Sequence, residues 1–532
     1  MTSHALLEAE SVAEVEPLLE ASISDLGAFP KPRVDKSVLW RVAPIVLVAS
    51  LGTSITTTTQ FDIIRSVSCK VWYLVNAPDK IPSNGRLPDE MCRLGEHHSP
   101  EAYFAMFMTF VALFNGIGHF ITSSVVARFS NSWGRRPVFI LLCLVDIVAV
   151  SFLTTSIISN SHLAIYALVL AVVIAVFSDP FMMYLVASMM VVDSTDPTER
   201  TAALSRLQGA LWLGLAPGYA LGGWVAVTFG PTTTLLAASA LSVIKLTYSA
   251  ITLRETLTAP EMNVVQREQM QMMEQQVRKP FLQRTRRAIL AVFAPLKYVV
   301  PHRDPHTGRR NPRLLLFALG GALYTLAMSY FPPVMVIYAS NELYFNAGDT
   351  GWLLTVYQTT KVIFLLFVLP PTLLAGRRFY LPAHERTSRS SVSAREAEKV
   401  SNHFDVHLII ASWIWEGIIA LTLPLAASKG SYIALVAGVT LGIGWTAAFD
   451  SAVVASVDRL DTSGVLSAMQ MIKSVAEVGS GLIVGNLATW SVGVMPTLPF
   501  FVLAAFSFSA AFIVLFVRDS DRRVDGDRDM AE

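Results

Sequence analysis

Ionisable side chains inside long apolar stretches are the first chemistry this chain offers. His119, Asp146, Asp179, Arg206, Lys245, Lys361, Glu416, Asp450, Lys473 and Glu477 all interrupt runs built otherwise of Leu, Val, Ala, Ile and Phe. A charge at mid-depth in a bilayer costs about 2.5–3.5 kcal/mol on insertion scales, so each is a functional candidate. Lys473 and Glu477 are four residues apart, on one helical face and within reach of each other. Such a pair can be static, two costly charges neutralising one another. Alternatively Glu477, or Asp179 in its Ser178-Asp179-Pro180 break, is a carboxylate that takes up a proton on one side and releases it on the other as Lys361 approaches or leaves. Catalytic signatures are missing from the sequence: there is no Walker loop, His-Glu-x-x-His, Gly-x-Ser-x-Gly or Cys pair at metal spacing. The expectation is therefore a protein that is no enzyme and holds no cofactor, driven by an ion gradient or by its solute's own gradient.

The elements that must position these residues are twelve apolar stretches, near 38–60, 102–127, 138–157, 163–190, 202–228, 232–253, 313–337, 350–375, 406–427, 431–455, 465–490 and 497–517. A hydrocarbon core about 30 Å thick takes about 20 helical residues, which satisfy their own backbone hydrogen bonds. Composition agrees: 53% hydrophobic and 15% charged residues, with a mean hydropathy of +0.50, describe a chain whose solvent is mostly lipid. The net charge of +1 gives nucleic acid nothing to bind.

With the N-terminus in the cytoplasm, about 30 of the 41 Lys and Arg fall on that side and about six outside. An even number of spans returns the C-terminal tail, 518–532, to the cytoplasm. The first 36 residues are acidic and polar, without the apolar segment of a signal peptide. Cys69 and Cys92 share a long external loop, 61–101, and read as a loop-closing disulfide if that side is oxidising, or else as two free thiols. Cys143 reads as a small buried hydrophobe.

A basic interruption, 254–312, separates a first set of six spans, 38–253, from a second, 313–517, and contains a Gln/Met/Glu-rich piece, Met262 to Gln276, with the pattern of a surface helix. Leu204 onward (LSRLQGALWLGLAPGYALGG) is echoed by Leu466 onward (LSAMQMIKSVAEVGSGLIVG), aligning Gln208 with Gln470 and Gly223 with Gly485. Repeats of this kind characterise alternating-access transporters, with the solute site between halves near mid-membrane. The fold expected is an all-α membrane protein of twelve transmembrane helices in two pseudo-symmetric six-helix bundles.

Between the second and third spans, VARFSNSWGRRPVFIL resembles the signature loop of the major facilitator superfamily, Gly-x-Leu-x-Asp-Arg-x-Gly-Arg-Arg-Pro. Trp133, Gly134, Arg135, Arg136 and Pro137 carry the likeness, while Ala127, Asn131 and Ser132 depart from it. Gly134 permits a tight turn, Arg135 and Arg136 can bond helix-end carbonyls and acids, and Pro137 opens the third helix where its missing N–H costs nothing. With Asn131 in place of the acid, any salt bridge that acid makes in relatives is absent. Ser188 to Gly223 is similar to the span four to five region of tetracycline-exporter-like and folate-carrier-like members: Asp193, Pro197, Glu199 and Arg200 fit its turn, and Gly214, Gly218, Gly222 and Gly223 its helix, with Pro217 two positions early. The cysteines after span one and before span two resemble fungal members related to the proton-coupled folate and haem carrier group.

That resemblance implies that spans 1, 2, 4, 5, 7, 8, 10 and 11 line a central cavity while 3, 6, 9 and 12 face outward. Asp146, Lys245 and Glu416 then fall on the outer set and read as structural, with Lys245 free to snorkel. Asp179, Glu477 and His119 are the proton-coupling candidates. His119 also suits a tight polar packing seam, given its neighbours Asn115, Gly116 and Gly118. Asn115, Arg206, Gln208, Trp212, Tyr324, Tyr357, Gln358, Lys361, Asp450 and Lys473 are candidates to line the cavity for a small organic solute, the aromatics offering apolar faces with polar tips. The partners implied are that solute, protons and the lipid bilayer, for a monomeric chain. Symport, antiport exporting drugs or metabolites, and a sensor that binds without transporting are the readings left open. EVEPLL, with Glu14, Leu18 and Leu19, fits an acidic dileucine address read by sorting adaptors, which points to a vacuolar membrane, with the plasma membrane as the alternative.

Overall fold

Proline, glycine and one capping aspartate decide where the apolar runs break, and the computed structural model shows each break. It describes residues 37–76, 100–158, 163–258, 292–303, 310–345, 347–380, 394–457, 461–491 and 495–518, with Asp35 and a few positions between 260 and 270. In the first half, α1 (Ser37–Asn76), α2 (Pro100–Trp133), α3 (Arg135–Ile158), α4 (Leu163–Ser178), α5 (Pro180–Ser194), α6 (Arg200–Phe229) and α7 (Pro231–Thr252) follow in order. The second half holds α8 (Arg313–Met328), α9 (Phe331–Glu342), α10 (Ala347–Ile363), α11 (Leu369–Tyr380), α12 (Ala394–Thr422), α13 (Lys429–Val439), α14 (Trp445–Val454), α15 (Thr462–Ser491) and α16 (Leu498–Val514).

Among the described residues, nine helical runs are long and apolar enough to cross a membrane, and α16 is a shorter apolar helix. Span four is two helices, α4 and α5, because the Asp179 side chain accepts from Phe181 N at 2.8 Å and Pro180 follows at the first helical position. Span seven breaks before Pro332 and Pro333, and span eight passes through a π turn, Phe364–Val368, ahead of Pro370 and Pro371. Helix α1 continues to Asn76, so Cys69 lies on a helix and not in the loop expected from residue 61. The more polar residues that follow Gln60 read as a loop, yet they extend a helix already nucleated in the apolar part. Cys92, the Cys69–Cys92 pairing and Glu14, Leu18 and Leu19 lie outside the described residues, as does most of Met262–Gln276. The linker contributes a 3₁₀ turn, Ala294–Tyr298, and a two-residue ribbon pairing β1 (His302–Arg303) with β2 (Arg310–Asn311).

Helix packing follows the small residues. α6 lies closely on α1, where a Cβ at Gly214 or Gly218 would collide with Ser50, Ser54 and the α1 backbone. The first-half core, built on residues such as Val42, Phe139, Val186 and Leu207, also takes in Ala447, Val454 and Leu466 of the second half. The second half is filled by rings: Phe317, Tyr324, Trp413, Trp445 and Phe449 form one contiguous group, with Trp413 stacked on Tyr324 at 5.0 Å. The halves meet along α2 with α15, and along α6 with α10, α11 and α14.

Candidate functional site

Three of the membrane-embedded titratable groups converge on one place. α2 carries His119 and the α4–α5 break carries Asp179, with His119 Nε2 3.7 Å from Asp179 Oδ2. Both line a cavity of about 290 Å³ inside the first half, with Thr53, Thr57 and Gln60 of α1, Asn115 of α2 and Asp146 of α3 on its walls. From the second half, Glu477 on α15 lies close enough to interact electrostatically with both His119 and Asp179. Gly116, one turn from His119, packs against Val478 and the Ser474 carbonyl, so the seam expected between spans two and eleven and the acid–histidine cluster are the same region.

The other charges settle differently from the spacing argument. Lys473 does not pair with Glu477, four residues on; it turns to Asp450 at 3.5 Å and lies 4.5 Å from the centre of the Phe449 ring. The reach of a lysine across a helix–helix contact outweighs helical proximity here, because Asp450 on α14 is the less exposed acid. Lys245 does not snorkel either: it holds Asp146 at 2.6 Å, with Ser242 completing the carboxylate, so a cavity-wall acid is neutralised from behind. Arg206 is exposed on α6. Tyr324 turns into the second half, where its hydroxyl donates to Glu416. Glu416, read as outward-facing from its span, is only 3% exposed. No local pattern marks the Tyr324–Glu416 pair, whose members are 92 residues apart.

Across the seam, Gln208 of α6 accepts from Thr446 of α14, and Ser205 donates to the Leu365 carbonyl at 2.8 Å. Lys361 of α10 is 6% exposed, and its ammonium lies 4.3 Å from the Trp212 ring centre and 3.8 Å from that of Tyr357. One ring comes from each half. Gln358 sits one turn from Lys361 on α10, and its buried carboxamide oxygen makes no hydrogen bond.

A family model described as Major Facilitator Superfamily matches residues 93–299. The chain is 27% identical over 418 residues to the major facilitator-type transporter psiT1 of Psilocybe cyanescens, covering 74% of this chain and 85% of that protein. Among solved structures it resembles the human organic anion transporter MFSD10 (TETRAN), with a TM-score of 0.62, 14% identity and coverage of 91% of this chain and 100% of that one. The proton:xylose symporter XylE, bound to 6-bromo-6-deoxy-D-glucose, matches with a TM-score of 0.55 and 13% identity over 90% of this chain and 96% of its own. Residues 93–299 thus resemble the major facilitator superfamily. The chain has the helical major facilitator fold, with helices long and apolar enough for a multi-pass membrane protein.

Within that fold the signature loop is a closed lock on the linker face. Gly134 adopts φ +97°, a left-handed turn, and places the next two backbone N–H groups on Glu255: Arg135 N at 2.8 Å and Arg136 N at 3.0 Å. Arg136 also donates to the Ala250 carbonyl near the end of α7, at 2.9 Å. The acid missing at Asn131 does not leave Arg135 without a carboxylate. Arg135 is 1% exposed, donates through Nε to Asp193 at 3.1 Å and through Nη1 to Asn131 Oδ1 at 2.8 Å. Asn131 in turn accepts from Ser463 of the second half at 2.6 Å, so the amide joins the halves without a charge.

A second lock lies at the end of α11. Arg377, at the end of α11, donates to the Thr198 carbonyl, to Thr201 at 2.8 Å and to Asp405 at 3.0 Å, while Thr201 donates to Asp405 at 2.6 Å. The signal that could have found it is Gly376-Arg377-Arg378, a short repeat of Gly134-Arg135-Arg136 in the corresponding loop of the second half.

Proposed function

We propose that this protein moves a small organic solute by alternating access in symport with protons, and that His119, Asp179 and Glu477 carry the proton. The observation that supports the reading is the meeting of these three groups at the α2–α15 seam, beside a cavity that His119 and Asp179 line. A proton held between an imidazole and two carboxylates from opposite halves is lost or gained when the halves separate, because the group left behind loses its partner. Both locks hold the linker face together, so the solute enters from the opposite face in this state. The Lys/Arg distribution makes the linker face cytoplasmic, with both termini on that side. The likeness to a proton:xylose symporter agrees with proton coupling.

The rival reading is proton antiport. Proteoliposomes separate the two, using a labelled solute found by ligand-dependent thermal shift. Accumulation driven by an inwardly directed proton gradient supports symport; accumulation driven by an outwardly directed one overturns it in favour of exchange. We also propose that EVEPLL directs the chain to an internal, vacuole-type membrane. A Leu18→Ala/Leu19→Ala variant then moves to the cell surface, and an unchanged distribution removes the address.

A further inference from the structure

The midplane of the seam holds donors without acceptors. Lys361 has no carboxylate within 4 Å among the described residues; the acid it senses electrostatically, Glu416, takes the Tyr324 hydroxyl instead, and Asp450 is used by Lys473. An ammonium has three N–H donors, and ring faces from Trp212 and Tyr357 meet it from two sides only. Those faces offset only part of what burial of an ion costs. Close by, the indole N–H of Trp212 is buried and makes no hydrogen bond. Lys361 lies over the Trp212 ring, so both donors sit at one junction of α6 and α10.

We infer that Lys361, with the indole N–H of Trp212, forms the docking point for a carboxylate on an aromatic or otherwise apolar organic solute. A carboxylate presents acceptor lone pairs to the ammonium and to the indole, and the rings flank its apolar body. Because Trp212 belongs to the first half and Lys361 to the second, such a solute would bridge the halves. The inference rests on reading this seam as the solute path, and names the class of solute. Gln358, whose oxygen lacks a donor, would take a hydroxyl or N–H on the same molecule.

The test uses the full chain in nanodiscs, with benzoate, benzamide and benzylamine as probes of near-equal shape and different charge, read by intrinsic tryptophan fluorescence and thermal shift at one pH without a gradient. Benzoate is expected to bind at least tenfold more tightly than benzamide, with benzylamine weakest. Lys361→Met should abolish the preference for benzoate over benzamide, and Lys361→Arg should keep part of it. Equal affinity for benzoate and benzamide, no benzoate response, or an undiminished preference in a folded Lys361→Met protein would overturn the inference. Should Lys361→Met fail to fold, the three-probe comparison on the unaltered protein decides. Failure of proton coupling in proteoliposomes leaves this equilibrium result standing, and anion binding without counterflow would sink the transport path while keeping the site.

Discussion

The two halves share a fold and use its interior in opposite ways. In the first, hydroxyl, amide and acid side chains share the walls of about 290 Å³ of open space with aliphatic ones, and Asp146 is neutralised from behind by Lys245. In the second, the corresponding depth is filled by Tyr324, Trp413, Trp445 and Phe449, with Glu416 sealed among them. Space beside titratable groups allows protonation and hydration to change; close-packed rings resist change and hold a fixed surface. The contrast fits the proposed reading, in which His119 and Asp179 of the first half share the proton with Glu477 reaching in from the second, while the packed rings form a rigid wall.

Four substitutions sharpen or break that contrast, in decreasing order of expected effect. Arg135→Ala leaves Asp193 buried without its cation and should destabilise the protein by about 3–5 kcal/mol, read as a fall in the thermal unfolding midpoint. A loss below about 1 kcal/mol would show that the linker-face lock is not held by this pair. Trp413→Ala should cost about 3–5 kcal/mol because a packed wall cannot collapse around the cavity. Thr446→Val removes the bond to Gln208 across the seam and should cost about 1 kcal/mol, with a faster exchange rate if that bond ties the halves. Thr57→Ala, on the open cavity wall, should change stability by less than about 0.5 kcal/mol. A Thr57→Ala loss comparable to that of Trp413→Ala would erase the distinction between the halves.

How much of this was legible in the chain follows from the range of each interaction. The spans were readable because lipid demands about 20 apolar residues per crossing, and the breaks because proline cannot donate. His119, Asp179 and Glu477 stood out since charges are rare at that depth, so rarity alone brought forward three residues that lie near one another. Pairings were another matter. Lys473 found Asp450, Arg135 found Asp193, and Tyr324 found Glu416 through helix–helix contacts that no spacing rule encodes. Sorting residues by whole spans also placed Glu416 outside, since a span has a buried and an exposed face at once.

The central claim is that His119, Asp179 and Glu477 link proton movement to the rocking of the halves. Its most direct test is proton-driven accumulation in proteoliposomes by Glu477→Gln and Asp179→Asn, each compared with solute exchange in the absence of a gradient. Both variants are predicted to lose gradient-driven accumulation while keeping exchange; a response to the proton gradient equal to that of the unaltered protein would contradict the account.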